Sequence, residues 1–302
     1  MNLLLLVGIG MLLLVAGTLL GRFYIPDRRP LKRAAEEGRS YVRGLVGVLE
    51  GDNDVAIKEL TLALKTSQGA VEAYFALGTL FRQRKEYERA VRVHQAILLR
   101  RRQPRAVQHQ AHYQLALDFR AAGFQRRAIK ALEWLVSRDK KHLKGWTQLV
   151  ELYQEDGQWE RAALGLRRVG KLSGEATGPV EAHIWSQLAS ELLLRGEVSG
   201  ARRQLKKALS AHRTSAHALH VLACYQQDRG SLDAAARAWQ RALRGNPDLV
   251  GFLLPRLEEA LIGLKKLERA DALLDELMEQ NPGNVQLRLA RARLERRRSP
   301  EA

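Results

Sequence analysis

Over 302 residues the chain carries 50 Lys and Arg against 33 Asp and Glu, a formal net charge of +17, with 46% apolar but only 6% aromatic residues. Leu, Ala, Arg and Glu dominate and Pro is scarce, a composition suited to helices. A single cysteine, Cys224, excludes an internal disulfide and any cysteine-paired zinc or iron–sulfur framework, and it fits a reducing compartment.

The first element in chain order is an apolar run. From Leu3 to Leu20 no residue is charged, and at ~1.5 Å per residue the run approaches the ~30 Å hydrocarbon core of a bilayer. Phe23 and Tyr24 follow where aromatic rings favour the headgroup level, and Arg22, Arg28, Arg29, Lys32 and Arg33 flank the run on one side. That asymmetry predicts one span over residues 1–22, a basic juxtamembrane linker over 23–36, and a cytoplasmic remainder. A cleaved signal peptide fits less well, because no Lys or Arg precedes the run and no Ala-x-Ala site follows it. No cysteine lies near enough for a lipoprotein anchor.

After residue 36 a helix–turn–helix pattern recurs at close to 34 residues. Its register shows at one small residue of each second helix: Ala56, Ala90, Ala128, Ala162, Ala201, Ala235 and Ala270, spaced 34, 38, 34, 39, 34 and 35. Two antiparallel helices that cross closely need Gly or Ala at the crossing and large residues beside it. The clearest unit begins at Val71, with Tyr74, Leu77, Gly78 and Phe81 on its first helix and Tyr87, Ala90, His94 and Ile97 on its second. Gly123, Gly157, Gly196 and Gly230 are predicted to end first helices in a left-handed turn, and Pro247 and Pro282 to punctuate the last units. The period is that of the tetratricopeptide repeat. The expected fold is therefore all-α, a superhelical array of about seven repeats over 37–284 with a basic capping helix and tail over 285–302. Two long intervals predict extended loops, one around Pro104 with Arg100, Arg101, Arg102 and Arg105, the other from Ser173 to Pro179.

Three stretches carry a more specific signal: VEAYFALGTLFRQRKEYERAVRVHQAIL from Val71, YVRGLVGVLEGDNDVAIKEL from Tyr41, and LALDFRAAGFQRRA from Leu115. In these, and in the order of apolar run, basic flank and repeats, the chain resembles the lipopolysaccharide assembly protein B family of Gram-negative bacteria. The resemblance implies an inner-membrane scaffold whose partners are lipopolysaccharide biosynthetic enzymes and a membrane AAA protease, acting on the deacetylase that commits carbon to lipid A. Members of that family typically end in a rubredoxin-like zinc module with two Cys-x-x-Cys pairs. No such pairs occur here, so zinc is not carried over and no cofactor is expected.

Repeat arrays of this kind bind partners on the face lined by first helices. By register that concave face presents Glu72, Phe75, Thr79 and Arg82, then Gln110, Tyr113, Leu117 and Arg120. These positions are either a partner surface, for which Tyr and Arg are suited, or simply solvated. His217, His220 and Cys224 share one helix face, but three ligands on one helix rarely close a metal site, and a free cysteine is more often a small buried apolar residue. His109 and His112 are a weaker pair, and His94 sits at a packing position. No nucleophile elbow, phosphate-binding loop or His-Glu-x-x-His motif points to an enzyme. The basic residues are scattered over every repeat with no nucleic-acid module, so nucleic acid is not an expected partner, while the Arg28–Arg33 stretch suits anionic lipid. The reading is a membrane-anchored protein scaffold for lipopolysaccharide assembly; its alternative is a scaffold for another envelope assembly or export system.

Overall fold

The computed structural model describes the backbone of residues 3–24, 28–66, 71–100 and 102–298, and the side chains of 7–21, 38–64, 71–100 and 102–296. The described residues form α-helices and one short 3-10 turn at Pro247–Leu249, with no strand. The chain divides into two compact units, residues 1–131 and 132–302.

In the first unit α1 (Leu3–Tyr24) is followed by α2 (Arg28–Glu50) and α3 (Asn53–Thr66), then α4 (Val71–Gln83) with α5 (Tyr87–Leu98), α6 (Arg105–Ala121) and the start of α7 (Gln125–Arg138). The described side chains of α1 are almost all exposed, Met11, Leu12 and Leu14 among them. Among the described residues no helix is long and apolar enough to cross a membrane. In α1 those side chains cover residues 7–21, fewer than the roughly 17 to 25 a span requires. Arg22, Phe23, Tyr24, Arg28, Arg29, Lys32 and Arg33 have side chains outside the described residues. The second unit completes α7 and continues through the pairs α8 (Leu143–Glu155) and α9 (Trp159–Ser173), α10 (Gly178–Leu194) and α11 (Val198–Ala211), α12 (Ala216–Asp228) and α13 (Leu232–Gly245), α14 (Val250–Gly263) and α15 (Glu268–Gln280). It ends on α16 (Val285–Arg298), which buries Leu287, Ala290 and Leu294.

Each of the seven aligned alanines lies on the second helix of a pair, and each is 0% exposed. The tightness of these crossings is visible at Gly78, where an added Cβ would meet the His94 ring at 2.4 Å, and at Gly44, where it would meet Leu60 at 2.7 Å. Five residues before every alanine the chain adopts positive φ: Gly51, Lys85, Gly123, Gly157, Gly196, Gly230 and Lys265. After each of these except Gly51 the next residue closes the turn with a backbone N–H to the carbonyl five back, as Phe124 does to Phe119 and Ser231 to Gln226, both at 2.8 Å. This is the left-handed C-terminal cap that favours glycine. Lys85 and Lys265 hold the same conformation with a side chain present, at a cost of roughly 1–2 kcal/mol each.

The two long intervals are built differently from the extended loops expected of them. The extra residues lengthen first helices, so α6 and α10 are each 17 residues against 13 for α4, α8 and α12. Arg105 is the first residue of α6, preceded by Pro104 as its N-cap, and Pro179 sits in the first turn of α10. Proline is well suited to both positions, because it has no N–H to leave unpaired there.

Candidate functional site

Within the first unit, α4 and α6 lie side by side and bring together the two sets of residues expected on the partner-binding face. Glu72 and Gln110 are exposed, while Phe75, Thr79, Tyr113, Leu117 and Arg120 are half-buried. Phe75 leans on the His94 ring, with centroids 5.9 Å apart. Arg82 is held inside the structure. Its guanidinium donates to Asp118 Oδ1 at 2.6 Å, to Gln114 Oε1 at 2.9 Å and to the Gln114 carbonyl at 3.4 Å, tying α4 to α6.

Asp118 is the residue that sequence reasoning missed. It is fully buried, and its second oxygen accepts from His94 Nδ1 at 2.5 Å. Three helices thus converge on one carboxylate: α4 through Arg82, α5 through His94 and α6 through Asp118 itself. The sequence signal is Asp118 falling on the same helical face as the buried Ala111, Leu115 and the packed Gln114, where a lone acid needs a cation. His94 Nε2 is buried and faces Gly78, with no hydrogen-bond partner among the described residues.

In the second unit the face carrying His217, His220 and Cys224 is a packing surface. His220 Nδ1 accepts from Trp239 Nε1 at 3.2 Å, and Cys224 Sγ lies 3.6 Å from His220 Nε2. His217 stacks against His183 with centroids 4.9 Å apart. Among the described residues no three His, Cys, Asp or Glu side chains gather as metal ligands. Burial pushes the Cys224 thiol up, away from a reactive thiolate. Burial, then the neighbouring His183, holds His217 below the usual imidazole range; burial, then Arg256 and His217, does the same for His220.

A histidine kept neutral by the fold stabilises it above the unfolded imidazole pKa of ~6.5, and that contribution is lost as pH falls through the depressed folded value. Thermal unfolding of the second unit, followed by tryptophan fluorescence, is therefore expected at a lower temperature at about pH 5 than at about pH 7.5. His217→Gln should flatten this dependence. An unchanged dependence in that variant would place its origin elsewhere.

Several other polar contacts of the second unit join successive helices. Arg244 grips Glu276 through two bonds of 2.9 and 2.8 Å, Arg269 pairs with Asp233 at 2.7 Å, and Arg291 with Asp271 at 2.9 Å. Tyr153 donates to Glu133 Oε1 at 2.8 Å, and burial followed by that bond raises its phenol. Such partly exposed pairs align repeats more than they stabilise them.

No protein-family model matches the chain. It is 29% identical to lipopolysaccharide assembly protein B of Escherichia coli K12 over 253 residues, which are 83% of this chain and 65% of that protein. It is 28% identical to the protein of the same name from Haemophilus influenzae over 244 residues, 78% of this chain and 61% of that one. The chain therefore spans less than two thirds of the length of these curated relatives. Among solved structures, a chain of the Naa15/Naa10 complex bound to HypK-THB superposes with a TM-score of 0.56 at 19% identity, covering 89% of this chain and 42% of that chain, a likeness of fold alone. The C-terminal part of a TPR repeat-containing protein from Cytophaga hutchinsonii reaches a TM-score of 0.49 at 13% identity, over 83% of this chain and 98% of that one, too low to add to the assignment. With seven crossing alanines, each preceded five residues earlier by a left-handed turn residue, the chain is a tetratricopeptide-repeat protein, and over most of its length it is similar to lipopolysaccharide assembly protein B.

Proposed function

We propose that this protein is a membrane-anchored scaffold of lipopolysaccharide assembly, holding biosynthetic enzymes on its repeats and presenting the lipid A deacetylase to a membrane AAA protease. The observation that carries the reading is the similarity over 253 residues to proteins of that name. The anchor is α1, a helix of 22 residues, which at ~1.5 Å per residue is about as long as the ~30 Å hydrocarbon core. Its described apolar side chains lie exposed and so are available to lipid. Basic residues after it favour repeats on the cytoplasmic side of the inner membrane. The face of α4 and α6 is the contact surface, with Glu72, Phe75, Gln110 and Tyr113 facing the partner and Arg82 fixing the angle between the two helices.

Crosslinking the full chain in its native membrane and identifying the captured proteins tests this. Lipopolysaccharide biosynthetic enzymes or the membrane protease are expected, with capture reduced by Tyr113→Ala and by Phe75→Ala. Capture of the machinery of a different envelope system alone would favour the alternative scaffold role.

A further inference from the structure

Arginine is spread along the whole chain, and in much of the second unit it is neutralised across repeats, as at Arg244–Glu276, Arg269–Asp233 and Arg291–Asp271. Helix α11 differs. Arg202, Arg203, Lys206 and Lys207 recur on it at i, i+1, i+4 and i+5, all exposed, and among the described residues no carboxylate pairs with any of them. Like charges one helical turn apart repel, so this ridge is held at a cost within the free protein. Lys207 is steadied over the Trp185 ring, 4.2 Å from its centroid.

Beside the ridge lies an open groove of about 610 Å³, bounded by α11, α12 and α13. Its rim carries Arg202, Lys206, Arg213 and Arg241, and no acidic residue lines it. Arg241 is set in place by its bond to the Arg213 carbonyl at 2.5 Å. The groove is also lined by Leu205, Leu209 and Leu222. Cations and apolar surface thus share one recess.

We infer that this groove takes an acidic, leucine-bearing peptide segment of a protein partner, its carboxylates against Arg202, Lys206 and Arg241 and an apolar side chain against the half-buried Leu209 and Leu222. A planar layer of lipid headgroups would meet the rim cations but leave the apolar lining uncovered. Single-stranded nucleic acid calls for exposed aromatic platforms, and the one aromatic residue lining the groove, Tyr225, is buried. The inference rests on the scaffold reading only in taking the partner to be a protein.

The test uses the full chain in detergent and a fluorescein-labelled peptide alternating glutamate with leucine, with a glutamine-for-glutamate peptide as control. Binding read by anisotropy is expected to weaken with salt, to be absent for the control, and to fall by about tenfold or more in Arg202→Glu/Lys206→Glu and in Arg241→Glu. These side chains are exposed, so circular dichroism should show the fold intact. Affinity for the peptide unchanged by the reversals would overturn the inference. So would reversals that release the protein from phosphatidylglycerol vesicles or single-stranded DNA while leaving peptide binding as it was. Failure here with wild-type capture of lipopolysaccharide enzymes intact leaves the scaffold role standing, and peptide binding without that capture separates the two the other way.

Discussion

Replacing Asp118 with alanine is expected to destabilise the first unit by about 3–5 kcal/mol, the range for removing one partner of a buried ion pair. The carboxylate is fully buried, and Arg82, 18% exposed, and His94, 0% exposed, both turn to it. Its loss leaves a guanidinium short of its counter-charge and a buried imidazole with neither nitrogen paired. Asp118→Asn, which keeps an acceptor oxygen for one of the two, should cost less. The readout can be made local, because all five tryptophans, Trp134, Trp146, Trp159, Trp185 and Trp239, belong to the second unit. Urea unfolding followed by circular dichroism should therefore show an early loss of helix that tryptophan fluorescence does not register. A transition indistinguishable from wild type would mean that this carboxylate does not hold the three helices together.

The second large effect is expected at Trp239. It is 0% exposed in the core formed by α12 to α16, among Leu243, Leu253, Leu257 and Leu274. Trp239→Ala removes the largest fully buried side chain among the described residues and should cost about 3–5 kcal/mol. Trp239→Phe keeps most of the volume but removes the donor to His220 Nδ1, and about 1–3 kcal/mol is expected for the acceptor left unpaired. Because Trp239 and Arg241 share α13, the alanine variant should also weaken peptide binding in the groove. Unfolding midpoints for the full chain in urea, read by circular dichroism, decide this. Equal midpoints for the phenylalanine variant and wild type would show the indole bond to be energetically idle.

The fold was legible because its constraints fall on single residue types. A crossing that tolerates only a small side chain recurs as alanine, and the spacing of those alanines fixes the helix pairs. Left-handed turns were legible where glycine fills them, and hidden at Lys85 and Lys265, where the conformation is imposed by the flanking helices against residue preference. The insertions read as loops because Arg, Pro, Gly and Ser cluster there, yet proline at a helix start is compatible with a longer helix, and α6 and α10 took that course. The partner face was half legible. Periodicity placed Arg82 beside Glu72, Phe75 and Thr79, but an arginine that reaches out and one that reaches across to the next repeat look alike until Asp118 is located. The basic ridge of α11 was hidden for a related reason: unpaired and paired arginines have the same letter, and only the structure shows which carboxylates are near.

The most direct measurement is the lipopolysaccharide content of cells depleted of this protein and complemented either with the full chain or with residues 28–302, which begin at α2. Depletion is expected to disturb lipopolysaccharide levels, the full chain to restore them, and the chain without α1 to fail. Unchanged lipopolysaccharide on depletion would contradict the account.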